Sequence, residues 1–134
     1  ARIIRFDPAL TVAKKIERLE TIADVFAKVS EQKDLGFFCI GEESVYAILA
    51  GMLTADNTPI EDVIRIRDKQ FAAMKKMMAL AESDEILNEQ IKTTYKNENL
   101  ITWKRNILLN SPHPQFAKLR ENPKYMEMLN KRTD

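Results

Sequence analysis

The sequence predicts an all-α fold, an irregular bundle of about five or six helices in a single domain. Two observations favour helices. The 134 residues include only 3 glycines and 5 prolines, few for the tight turns of a many-stranded β fold. Apolar side chains also recur every three or four residues through most of the chain, the spacing of one helical face. A chain of this length can bury a core without disulfides or metals, so we expect residues 1–134 to form one domain.

The first predicted helix runs from Pro8 to Ser30. The Asp7 carboxylate can accept hydrogen bonds from the free amides of a helix start, and proline needs no amide partner at the first position. A continuous apolar stripe follows, which predicts one long amphipathic helix. The stripe consists of Val12, Ile16, Leu19, Ile22, Ala23, Phe26 and Val29.

The second predicted helix spans Glu42–Thr54 and is preceded by a short apolar run over residues 35–40. We interpret that run, which contains Gly36 and is followed by Gly41, as a buried connector rather than a brief strand. Glu42 and Glu43 suit the positive end of the helix dipole. The apolar face that follows comprises Val45, Ile48, Leu49, Met52 and Leu53.

The third predicted helix begins at Pro59 and continues to Ala81. The sequence Thr58-Pro59-Ile60-Glu61 matches a capping box, in which the Thr58 hydroxyl and the Glu61 carboxylate each accept a hydrogen bond from a backbone amide. Apolar residues then recur at helical spacing. They include Ile64, Phe71, Met74 and Met78.

The pattern is weaker after the third helix. Ser83 can cap the next helix, and apolar residues recur between Leu87 and Leu109. Two interpretations stay open for this stretch: one long helix that bends, or two helices of which Asn99 caps the second.

The tail from Ser111 to Asp134 is predicted to form short helices that start near prolines. We expect helices over Pro114–Glu121 and Lys124–Asn130, the second capped by Asn122. Helices this short are not stable alone in water. The tail must therefore dock, either on the same chain or on a neighbouring subunit, which would make the protein an obligate oligomer.

The chemistry-bearing residues do not form a familiar catalytic or metal-binding pattern. His113 is the only histidine and lies between two prolines, and the apolar neighbours of Cys39 favour a core thiol over a nucleophile. Helical metal sites usually add histidine to carboxylates, which the acidic groups here lack. Those groups are Glu20 with Asp24, and Asp84 with Glu85 and Glu89. We therefore predict no enzymatic activity, no metal and no cofactor, with a carboxylate-only active site as a third hypothesis.

The charge balance indicates no strong attraction to nucleic acid or lipid by the molecule as a whole, because 21 basic and 20 acidic side chains nearly cancel. No apolar run approaches about 18 residues, the length of a membrane-spanning helix. Residues 1–10 lack the apolar core of a signal peptide, and a single cysteine fits a reducing compartment. We expect a cytoplasmic protein without membrane contact.

A dense cluster of methionines on the third helix, Met74, Met77 and Met78, is the first candidate partner-binding surface. Flexible methionine side chains adapt to a partner when they are exposed and fill the core when they are buried, and the sequence leaves both open. If the cluster belongs to the core, the candidate interface is instead formed by other large apolar residues or by the tail. These residues are Phe37, Phe38 and Trp103.

A basic run on the third helix supports an alternative function in nucleic-acid binding. It consists of Arg65, Arg67, Lys69, Lys75 and Lys76. At about 100° per residue these side chains spread around the helix instead of forming one stripe. Helices two and three could also form a helix-turn-helix, but Glu61 and Asp62 would place negative charge where the DNA phosphates lie.

These observations together favour a non-enzymatic protein–protein interaction module, such as a small adaptor, inhibitor, assembly factor or structural subunit. It would act through helical surfaces on another protein or on a second copy of itself, as a homo-oligomer. The alternative is a nucleic-acid-associated accessory protein that uses the basic run on the third helix.

Overall fold

The structure, a computed structural model, describes residues 2–55, 58–96 and 99–132. Every regular element within these residues is helical, and they contain no strand. The all-α prediction is confirmed. The expected count of five or six helices is not confirmed, because a short helix precedes the first predicted one and residues 87–109 divide into two. The helices are α1 (Arg2–Phe6), α2 (Val12–Ser30), α3 (Cys39–Ala55), α4 (Ile60–Ala81), α5 (Glu85–Tyr95), α6 (Leu100–Asn110), α7 (Pro114–Arg120) and α8 (Pro123–Asn130).

Helix α2 starts later than predicted. The Asp7 carboxylate accepts from the Ala9 amide at 2.9 Å inside a turn, so it does not cap a helix. Thr11 caps α2 instead, since its Oγ1 accepts from the Lys14 amide at 3.2 Å. The predicted start at Pro8 is therefore wrong, whereas the predicted end at Ser30 is confirmed.

Helix α3 lies at the centre of the fold and packs against both α2 and α4. A 3-10 turn over Gly36–Phe38 leads into it, so this segment is a connector and not a strand, but none of its three residues is buried as predicted. The helix also begins at Cys39, before the predicted start at Glu42. Leu49 and Leu53 on α3 and Ile66 on α4 have no exposed surface and form the middle of the core. Gly41 allows α2 to approach closely, because a Cβ on Gly41 would lie 2.6 Å from the Phe26 ring.

The segment from Gly36 to Ala55 is long and apolar enough to cross a membrane by length and composition alone. Half of its most apolar window is buried inside the protein, and its acidic residues Glu42 and Glu43 are only 8% and 4% exposed. A core helix passes the same test of length and hydropathy, and α3 occupies that place here.

Helix α4 lacks the predicted capping box. Pro59 stands at its N-cap without a side-chain hydrogen bond. The Thr58 hydroxyl donates instead to the Leu53 carbonyl of α3 at 2.8 Å, so it ties the end of one helix to the start of the next. The Glu61 carboxylate faces Lys124 of the tail at 3.6 Å.

The stretch from residue 85 to 110 is two helices. Asp84, not Ser83, caps α5, and its carboxylate accepts from the Leu87 amide at 3.0 Å. Helix α5 ends at Tyr95, because the next residue, Lys96, has a left-handed φ of 56° and cannot continue the helix. Asn99 then caps α6 by accepting from the Thr102 amide at 3.0 Å, which resolves the alternative that the sequence left open.

The described part of the tail folds back on the same chain. His113 Nδ1 accepts from the Gln115 amide at 3.2 Å to begin α7, and Asn122 caps α8 as predicted. The Arg120 guanidinium donates to the carbonyls of Leu108 at 3.0 Å and Ser111 at 2.9 Å. Two residues of α8, Tyr125 and Leu129, have no exposed surface.

Candidate interaction surface

The methionine cluster lies mainly inside the core. Met74 and Met77 have no exposed surface, and Met78 is partly buried against the core. Their helix is covered by α3 and by α5, α6 and α8, so the apolar stripe of α4 has partners within the chain. Met74 and Met77 were candidates for a partner-binding surface, and the structure corrects this: both are core residues.

Trp103 is also half-buried. Its ring meets Tyr95 edge to face, with the ring centres 5.6 Å apart. The neighbouring Lys104 amine lies 5.8 Å from the centre of the Trp103 ring. The tryptophan thus joins α6 to α5 and presents only part of its surface to solvent.

The two phenylalanines of the 3-10 turn have different roles. Phe38 is half-buried and stacks on Phe26 of α2, with ring centres 6.2 Å apart. Phe37 stacks on Phe38 at 4.5 Å and remains 36% exposed. Phe38 anchors the turn, and Phe37 is the member of the pair that a partner could reach.

Phe37 shares a groove with Ile86 of α5, which is 70% exposed. The groove has a volume of about 760 Å³ and lies between the end of α2, the 3-10 turn and the start of α5. This volume is within the range of about 300–1,000 Å³ for ligand clefts. We call it the Phe37–Ile86 groove; its lining includes Glu31, Asp34, Phe37, Leu80, Asp84, Glu85 and Ile86.

The groove is built on tightly held elements. A Cβ on Gly36 would lie 3.5 Å from the Asp84 carboxylate, so the 3-10 turn and the start of α5 lie side by side. Asp84 is itself fixed by its cap bond to the Leu87 amide, and Leu87 is fully buried. Sequence reasoning missed Ile86, although its position directly before Leu87 places it outside the buried stripe of α5.

The basic run of α4 is largely occupied by internal pairs. Glu20 accepts from Arg65 and from Lys69 at 2.8 Å each. Burial raises the pKa of Glu20, but the hydrogen bonds and positive charges of Lys69 and Arg65 together outweigh burial and leave the pKa below its ordinary value. Lys76 pairs with Glu42. Three of the five residues, Arg65, Lys69 and Lys76, are therefore paired with carboxylates of the same chain.

Arg67 also belongs to the basic run, but it is only 2% exposed. It was a candidate phosphate contact, and the structure corrects this: it is a core residue. Its Nη1 donates to Gln70 Oε1 at 2.7 Å, and Gln70 Nε2 donates to Glu43 at 2.9 Å. Lys75 is exposed and has an interaction of its own. The five residues do not form a shared basic surface.

The buried polar network around Glu43 was not predicted from the sequence. Its second carboxylate oxygen accepts from the Tyr95 hydroxyl at 2.7 Å, so the network joins α3, α4 and α5. The sequence did contain a sign of this network, because Gln70 stands four residues from Ile66 and from Met74, on the apolar stripe of α4.

Lys104 is a further polar side chain that the fold partly buries. Burial is the main cause that lowers the pKa of Lys104 to about 8, and the nearby charge of Arg67 is the second.

The candidate nucleophile Cys39 and the candidate metal ligand Glu20 both take part in holding the fold together. Cys39 is fully buried, and burial raises the pKa of its thiol to about 11. Glu20 is occupied by Arg65 and Lys69. Within residues 2–55, 58–96 and 99–132, no group of three or more His, Cys, Asp or Glu side chains is arranged to hold a metal ion.

No protein-family model, curated protein or solved structure matches the chain.

Proposed function

We propose that this chain is a non-enzymatic protein–protein interaction module that binds its partner through the Phe37–Ile86 groove. One observation supports this most strongly. Phe37 and Ile86 come from separate elements, are 36% and 70% exposed, and line the same groove. Large apolar side chains that gather in a concave, solvent-exposed site are typical of binding surfaces.

Contacts within the fold hold two walls of the groove in place, which supports a binding role. The stacking of Phe37 on Phe38 and of Phe38 on Phe26 holds the 3-10 turn against α2. The Asp84 cap holds the start of α5. A surface already fixed in its bound form loses little conformational freedom on association, so more of the contact energy appears as affinity.

The polar groups of the groove favour binding over chemistry. The Ser30 hydroxyl donates to the Ala27 carbonyl at 2.7 Å, and the Asp84 carboxylate caps a helix. Catalytic nucleophiles are activated by an adjacent base, typically a histidine, and the groove is lined by no histidine or cysteine among the described residues. The groove therefore offers apolar contact with an acidic rim.

Site-specific cross-linking tests this proposal. A photoreactive amino acid at position 86, compared with one at the similarly exposed Val25 of α2, identifies the protein that contacts each face in cells. The partner captured only from position 86 is then purified, and its affinity is measured by calorimetry. We expect Ile86→Ser to weaken binding by about tenfold or more and Val25→Ser to leave it unchanged. Equal cross-linking from both positions, or equal affinity of both variants, would contradict the proposal.

A further inference from the structure

We infer that the segment held by the Phe37–Ile86 groove is a basic amphipathic helix of a partner protein. This inference rests on the proposed function and adds the chemistry of the partner. Charge complementarity is the first argument for it. Four acidic side chains, Glu31, Asp34, Asp84 and Glu85, line the groove, and no lysine or arginine does so among the described residues.

The acidic lining is a local concentration of charge, because the chain as a whole has a net charge of +1. Lys33 is adjacent to Asp34 in sequence but does not line the groove. A cleft lined by one sign of charge attracts the opposite sign and raises the rate of encounter. Such a groove favours lysine and arginine and disfavours the phosphates of nucleic acid or of an anionic membrane.

The apolar part of the groove requires that the partner also present apolar side chains. Phe37 and Ile86 are exposed, and the half-buried Leu80 also lines the groove. These side chains are covered only if the partner places apolar residues against them. The occupant is therefore both basic and apolar.

The shape of the surface favours a helix over an extended strand. A second depression runs along α5 and shares Glu85, Ile86 and Gln90 with the groove. It continues past Glu89, whose carboxylate lies 3.9 Å from the Lys92 amine. The walls consist of helix ends, a 3-10 turn and the turns beside them, so in the described part of the chain they offer no strand edge for pairing. Contact must then come from side chains, and an amphipathic helix presents these on one face.

Three synthetic peptides test the inference on the full chain. The first is a helical peptide of leucine, alanine and lysine with leucine on one face. The second replaces every lysine by glutamate, and the third replaces every leucine by alanine. Binding is measured by fluorescence anisotropy. We expect only the lysine and leucine peptide to bind, with an affinity that falls as salt rises from about 0.05 to 0.5 M.

Matched charge reversals locate the effect. Glu31→Lys with Glu85→Lys should weaken binding of the lysine and leucine peptide by at least about tenfold. Glu17→Lys with Glu121→Lys changes the total charge by the same amount at exposed positions outside the groove, and should change binding less than about twofold. Circular dichroism checks that both double variants keep their helicity.

The inference would be overturned if the glutamate peptide bound better, if both double variants lost affinity equally, or if the lysine and leucine peptide did not bind. None of these results removes the proposed function, which is tested on the cross-linked partner at Ile86. If that partner bound through Ile86 with an acidic or uncharged segment, the groove would stand and only the inferred chemistry would fail.

Discussion

The side-chain amide of Gln70 donates a 2.9 Å hydrogen bond to the carboxylate of Glu43 inside the core. The Tyr95 hydroxyl donates to the same carboxylate at 2.7 Å, so one acidic group of α3 holds both α4 and α5. Helix α5 bears Ile86, and α3 follows directly after the turn that bears Phe37. The Glu43 network therefore fixes the relative position of the two sides of the groove.

Replacement of Glu43 by alanine should destabilise the protein by about 3–5 kcal/mol, because the Gln70 amide and the Tyr95 hydroxyl would lose this acceptor and the buried Arg67 would lose the favourable charge of Glu43. Urea denaturation measures this change. Glu17→Ala is the control, since Glu17 forms a solvent-exposed pair with Lys14 at 3.3 Å and should change stability by less than about 1 kcal/mol. Equal effects of the two substitutions would show that the network adds no stability.

Replacement of Gly41 by alanine should destabilise the protein although alanine favours helices. The new Cβ would lie 2.6 Å from the Phe26 ring, and overpacking of this kind costs about 1–3 kcal/mol. Gly51→Ala on the same helix is the matched control. Its Cβ would meet only Arg5 at 3.9 Å, so the helix propensity of alanine should stabilise the protein by up to about 1 kcal/mol. Thermal denaturation that shifts both variants in the same direction would contradict the close approach of Gly41 and Phe26.

Lys104 should make the free energy of unfolding depend on pH in the alkaline range. Burial lowers its pKa from 10.5 to about 8 in the folded protein, so the unfolded chain binds more protons between these values. The free energy of unfolding therefore gains a contribution that rises with pH through this window. Lys104→Met removes that contribution. The variant should gain most relative to the wild type below pH 8, and the difference should shrink towards pH 10.5. A difference in stability that is the same at both pH values would contradict the burial of the amine.

Arg120 should hold the described tail on α6. Its guanidinium donates to the Leu108 and Ser111 carbonyls at 3.0 and 2.9 Å, where the last carbonyls of a helix lack partners. We expect Arg120→Ala to destabilise the protein by about 1–3 kcal/mol and to speed amide hydrogen exchange in α7 and α8. Lys118→Ala, an exposed position on the same helix, is the control. Unchanged exchange in the Arg120 variant would contradict this role.

The fold class could be predicted because it depends on the spacing of apolar residues, which is written directly in the sequence. Helix starts were harder to predict, since several side chains could cap the same turn. Thr11 caps α2 although Asp7 was the expected cap, and Thr58 bonds back to the Leu53 carbonyl instead of capping α4. Tertiary packing decides between such competing caps.

The candidate site could be predicted only in part. Phe37 was among the expected contact residues, and it is exposed because Phe38 fills the space beside Phe26. Met74 and Met77 are core because several helices cover α4, and the period of one helix cannot show how many neighbours it has. Ile86 and Phe37 line the same groove only because of the tertiary fold, so no local sequence pattern could connect the two residues.

Chemical-shift mapping tests the central claim most directly. The cross-linked partner, or the lysine and leucine peptide, is titrated into the isotope-labelled chain while the amide signals are followed. We predict that the largest shifts occur at Phe37, Asp84 and Ile86, with little change at Val25. Shifts concentrated on the Trp103 face or around Val25, with the Phe37 and Ile86 signals unmoved, would contradict the assignment of the groove as the binding surface.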